Sequence, residues 1–154
     1  MPNPDLSAEQ VRDLRALAGT IIPASATYGV PGADDELIFK DILGSLERDY
    51  GDICRALAHL AALVGHGFAD LEPERRPEVA ATFREVGGAP LAALVRVVLL
   101  CYYRDDRVMR SLGLEPRPPF PKGHVVEQGD WSLLDAVRAR PRMYRVVDKS
   151  ARYF

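Results

Sequence analysis

Apolar residues recur at helical spacing along most of this chain. Ser7 and Gln10 have the spacing of a capping box, and Val11, Leu14, Leu17, Ala18 and Ile21 follow at intervals of three and four. This predicts a first helix, ended by Pro23 because the residue before a proline avoids helical geometry. Val30, Pro31, Gly32 and Ala33 fit a type II turn with Pro second and Gly third. Asp34 or Asp35 then caps a second helix carrying Leu37, Ile38, Ile42 and Leu46. A third helix runs from about Gly51 to Phe68, with Ile53, Leu57, Leu60, Ala61, Val64 and Phe68 as its stripe. A shorter amphipathic segment turns Val79, Phe83 and Val86 inward and closes at Gly87 and Gly88.

The fifth helix has a different pattern. Pro90 fits its first turn, and from Leu91 to Tyr103 only Arg96 is charged, with Leu94, Val95, Val97, Val98, Leu99, Leu100, Tyr102 and Tyr103 on every side. It falls short of the roughly 20 apolar residues that span a bilayer. A helix apolar all round calls for burial all round, by this domain's other helices or partly by a second chain. A short helix from Asp105 to Leu112 follows and ends at Gly113, a residue suited to the left-handed C-terminal cap.

Beyond Gly113 the composition changes. Pro116, Pro118, Pro119 and Pro121, with Phe120 among them, predict an extended proline-rich arm. Asp130 caps a last helix with Leu133, Leu134 and Val137, stopped before Pro141. The fold class is therefore all-α: a single helical domain of six to seven helices. Residues 1–113 form its helical core, and residues 114–154 form the arm, a short helix and a basic, aromatic tail of the same domain.

The 154 residues fit one domain, and a hydrophobic content of 47% with 27% charged residues excludes disorder along the whole chain. A formal net charge of −2 argues against a dedicated nucleic-acid or membrane-surface binder. Charge is unevenly placed, with acids concentrated from Asp34 to Asp52. Arg138, Arg140, Arg142, Arg145, Lys149 and Arg152 gather in the tail opposite Asp148 alone. This tail suits either an acidic partner surface or plain solvation. Cys54 and Cys101 lie inside apolar patterns with no metal or redox spacing. No basic and apolar leader precedes the first helix, so the expected location is cytoplasmic, or periplasmic if a signal was removed or lies on a partner.

Candidate chemistry is sparse. His59 and His66 share a helix face two turns, about 10 Å, apart. One zinc ion with ligands at about 2.1 Å does not bridge that distance. His124 lies in a loop, where a surface histidine is the commoner reading and a general base the rarer one. Asp34, Asp35 and Glu36, like Asp105 and Asp106, complement helix N-termini. No nucleophile elbow, phosphate loop or dinucleotide fingerprint is present. The sequence therefore assigns no catalytic, cofactor-binding or metal-binding residue.

Two stretches carry a family resemblance. The first is the run from Leu14 to Pro23, followed by Pro31, Gly32 and Ala33. The second comprises Tyr102 to Val108, Leu112 to Leu114, the arm to Gly123, Leu133 to Arg138, and Tyr144 with Arg145. Together, over about half of the chain, they resemble the small helical third subunit of gluconate 2-dehydrogenase and related flavin-dependent sugar dehydrogenases; residues 41–88 add little. The resemblance implies a non-catalytic companion that stabilises a large FAD-dependent oxidoreductase acting on a sugar or polyol. In some members a cytochrome subunit completes the complex. FAD is then expected in the partner and no cofactor in this chain. Many members also carry a twin-arginine export signal, whereas Arg75 and Arg76 here lie deep inside the chain.

Aromatic residues and arginines are the usual energetic centres of interfaces. On that basis the expected partner-facing residues are Tyr102, Tyr103, Phe120, Trp131, Arg138, Tyr144, Arg145, Tyr153 and Phe154. The competing expectation has Trp131 and Tyr144 folded back onto the core. Two rival functions stand beside the subunit: a small helical enzyme using His124 or a carboxylate pair, and a regulatory module with a ligand between its helices.

Overall fold

The computed structural model of the chain describes residues 6–116, 123, 125–141 and 143. Pro118, Pro119, Phe120 and Pro121 of the expected arm lie outside them, as do His124, Tyr144, Arg145, Tyr153 and Phe154. Among the described residues the protein is all-α, with no strand and one isolated bridge between Ser25 and Val30. Residues 1–117 form one compact unit and residues 118–154 a second.

The first helix, α1 (Ala8–Ile21), starts with a complete capping box. The Ser7 hydroxyl accepts the Gln10 N–H, and the Gln10 side chain accepts the Ser7 N–H. The turn expected at Pro31 and Gly32 forms earlier. The chain reverses between Ser25 and Val30, and the left-handed residue is Gly29, at φ 63°. Gly32 does not take the positive φ that a type II turn requires. It serves close approach instead, since a Cβ there would lie 2.9 Å from the Ala24 nitrogen and collide with the Asp34 carboxylate.

Asp35 caps α2 (Glu36–Gly44) by accepting the Leu37 N–H at 3.1 Å. A 3-10 turn (Glu47–Asp49) leads into α3 (Tyr50–Val64), which stops earlier than its stripe predicts because Gly65 turns left-handed. Phe68 lies instead in a separate 3-10 turn (Phe68–Asp70) and is fully buried. That turn is held to α1 by the buried Asp13, whose carboxylate accepts the Ala69 N–H at 2.8 Å.

Two further helices complete the core: α4 (Arg76–Val86), which buries Phe83, and α5 (Gly88–Tyr103). Val86, expected inward, is exposed. Helix α5 packs against α3 and α2 and closes the core around Ile42, Ile53, Leu60, Leu94 and Val98. The short α6 (Asp106–Ser111) adds Val108 and ends before the left-handed Gly113.

In the second unit the Asp130 carboxylate accepts the Ser132 N–H and starts a 3-10 turn (Trp131–Leu134), which passes into α7 (Asp135–Arg138). None of its described residues is buried.

Candidate functional site

Helix α5 is buried on one side only: of the two covers expected, this chain's own helices supply one side and leave the other open. With 3.6 residues per turn, Ala92, Arg96, Leu99, Leu100 and Tyr103 share one arc, and each of them is exposed. Leu100 is 60% and Tyr103 54% accessible, while Leu94, Val97, Val98 and Cys101 on the opposite arc are buried.

The two tyrosines at the end of α5 have different surroundings. Tyr102 is 5% exposed, and its hydroxyl donates to the Pro31 carbonyl at 3.2 Å. Burial raises its pKa above the ordinary phenol value. This corrects its expected place at an interface: the ring anchors the loop before α2 to the core. Tyr103 stands edge-on to it, with centroids 5.3 Å apart, and remains available at the surface.

Beside the exposed arc runs a line of guanidiniums. Arg96 reaches Asp49 at 2.6 Å, and Arg104 grips Asp41 through two contacts of 2.5 Å while touching the Ser45 hydroxyl at 2.6 Å. The bond to Asp41 secures the positive charge of Arg104. Further along, Arg107 holds both Asp105 and Asp35, and lowers the pKa of each carboxyl. Between the α2–α3 connection and α5 lies a cleft of about 190 Å³, lined by Arg48, Asp49, Arg96, Leu100, Cys101 and Arg104 among others. The Cys101 thiol lies at its buried edge, and burial pushes its pKa up.

A second feature lies between α1, α4 and α5. An open groove of about 350 Å³ is lined by Leu17, Ile21, Ala80, Phe83, Leu91 and Val95. Thr20 and Pro77 join it to a more polar hollow of about 300 Å³ that contains Asp34 and Arg76. Arg76 is occupied by the backbone, donating to the carbonyls of Leu71 and Ala69 at 3.1 and 2.8 Å.

Of the other expected interface residues, Trp131 is 58% exposed and Arg138 is exposed, pairing with Asp135 at 3.1 Å. Leu133 and Val137 are also open to solvent. Phe120, Tyr144, Arg145, Tyr153 and Phe154 lie outside the described residues. His59 is exposed, and His66 Nδ1 lies 3.1 Å from the Gly67 carbonyl oxygen. Both cysteines are free thiols. Among the described residues no three His, Cys, Asp or Glu side chains converge as a metal site.

Sequence reasoning missed the outward role of Leu99 and Leu100 and the arginine cleft. One signal was present in Arg96, the sole charge in α5, which marks the side of the helix that faces water. Comparison with family models, curated proteins and solved structures finds no match to this chain.

Proposed function

We propose that this chain is a non-catalytic small subunit that binds and stabilises a larger FAD-dependent oxidoreductase of the sugar or polyol dehydrogenase type. The observation that carries the binding role is the bare apolar arc of α5. Leu99, Leu100 and Tyr103 lie side by side on a helix whose other face builds the core. A second protein that covers this arc removes apolar surface from water, a favourable term of about 25 cal/mol per Å² that is offset in part by the entropy cost of association. The exposed Trp131, Leu133 and Val137 add anchors of the same kind. The identity of the partner rests on the sequence resemblance over the first helix and the region from Tyr102 to Arg145.

Co-expression with a large FAD-dependent oxidoreductase of the sugar or polyol dehydrogenase type, should one be encoded in the neighbouring reading frame, tests the reading. The two are expected to co-elute in size exclusion with the flavin absorbance in the large subunit, and Leu99→Glu with Leu100→Glu is expected to separate them. Separate elution of the unaltered proteins would overturn the assignment.

The groove between α1, α4 and α5 favours a second reading, a regulatory module for a small apolar ligand. Its volume lies at the lower end of the range for ligand sites, and its lining is mostly hydrophobic. Saturable binding of a hydrophobic fluorescent probe, lost in Ala80→Glu, would favour it.

A further inference from the structure

The exposed arc of α5 and the arginine cleft are continuous, because Leu100 belongs to both. We propose that together they form the seat for an acidic, apolar segment of the partner protein. A carboxylate of that segment pairs with Arg48 at the mouth of the cleft, and a neighbouring apolar side chain lies over Leu100 and Tyr103. The proposal rests on the partner-binding reading above and specifies the chemistry of what is bound.

Charge complementarity selects the occupant. Three guanidiniums line the cleft with one carboxylate, Asp49. Asp49 is committed to Arg96 at 2.6 Å and stands 4.0 Å from Arg48. Arg104 is satisfied by Asp41. One positive charge is left in excess at Arg48, whose side chain is 82% accessible. Guanidiniums bind carboxylates through paired, charge-assisted hydrogen bonds, and Asp49 and Asp41 already hold two of the three in place. A free inorganic anion would use the cleft and leave the apolar arc bare. A nucleic acid strand needs a run of unpaired cations for its phosphates, and here Arg96 and Arg104 are already paired. A polypeptide segment with an acid beside a leucine or aromatic residue meets both surfaces at once.

A display library of random twelve-residue peptides, selected on the immobilised full chain, tests the proposal. Enriched peptides are expected to pair Asp or Glu with Leu, Phe or Trp within a few positions. Calorimetry with a synthetic enriched peptide should show binding weakened about tenfold or more by Arg48→Glu and by Leu100→Asp, and weakened by salt. Both positions are exposed, and unchanged thermal melts would establish that the variants fold; Arg48→Ala provides a milder control. Enrichment of basic or purely apolar peptides, no enrichment, or unchanged affinity in Arg48→Glu would overturn it. So would tighter binding of a labelled single-stranded oligonucleotide than of the peptide. If the flavoprotein co-elutes equally with the unaltered chain and with Arg48→Glu, the subunit reading stands and the acidic segment fails. If acidic peptides bind and the flavoprotein does not, the surface stands and the partner's identity fails.

Discussion

Arg107 and Asp35 form a two-pronged ion pair, with contacts of 2.6 and 3.2 Å, between residues separated by 72 positions. The same guanidinium holds Asp105 at 3.0 Å. Both carboxylates are helix N-caps, Asp35 for α2 and Asp105 for α6. One cation thus joins two helix starts, each of which already favours negative charge through its unpaired N–H groups.

Asp35→Ala removes a cap and an ion pair together. It is expected to lower unfolding free energy by about 1–2 kcal/mol, read from urea titration by circular dichroism. Asp35→Asn keeps a capping oxygen and should cost less. Equal losses in the two variants would show that the charge, rather than the cap, carries the effect.

The same cluster sets an acid limit on stability. Asp35 and Asp105 titrate below the ordinary aspartate value, chiefly because Arg107 bonds their ionised forms. The unfolded chain, with aspartates near about 3.9, binds protons first as pH falls. Their contribution is therefore complete above about pH 5 and disappears as pH drops through the lowered folded values. Urea midpoints between pH 3 and 6 should fall on acidification. The fall should be shallower in Asp35→Asn with Asp105→Asn.

A chain ending at Pro116 should keep its helical spectrum and cooperative melt. Every buried side chain among the described residues lies between Asp13 and Val108. Loss of cooperative melting would show that the second unit contributes to this core. Partner binding by the shortened chain would then measure what α5 achieves without Trp131 and Arg138.

Phe68→Ala should cost about 3–5 kcal/mol, since the ring is fully buried and the turn that carries it is pinned by Asp13. That is a large share of the roughly 5–15 kcal/mol typical of a domain, so the variant should be partly unfolded at 37 °C. A melting temperature near that of the parent would mean that neighbours collapse into the space.

Cys54 should alkylate well before Cys101. The Cys101 thiol is buried and its pKa is raised, while Cys54 is partly accessible. Mass spectrometry after timed iodoacetamide treatment reads the order, and Cys101 should react only as denaturant unfolds the chain.

The helices were legible because their signals are local. Ser7 and Gln10 supply a cap within one turn, Asp130 starts the final turn, and Gly113 ends α6. What depends on distant neighbours was not. Phe68 keeps the period of α3, yet Gly65 breaks that helix, so the period continued past the real boundary. Tyr102 and Tyr103 look alike in sequence; helix phase puts Tyr102 on the buried arc, and the loop at Pro31 completes its cover. The arginine cleft depends on Arg96 of α5 and Arg104 just beyond it reaching Asp49 and Asp41, partners that no short window of sequence contains.

The placement of α5 also bears on the order in which the chain is made. Synthesis runs from the N-terminus, and α1 to α4 are complete at Gly87, before any of α5 exists. At that stage Ile42, Ile53 and Leu60 lack the helix that covers them, Asp41 lacks Arg104 and Asp49 lacks Arg96. Nascent chains arrested at Gly87 should therefore be cut readily by protease, and chains extended past Leu114 should resist it. Among the described residues the last long helix to leave the ribosome is the one that closes the fold, and until it emerges the growing chain exposes the apolar faces that α5 will cover.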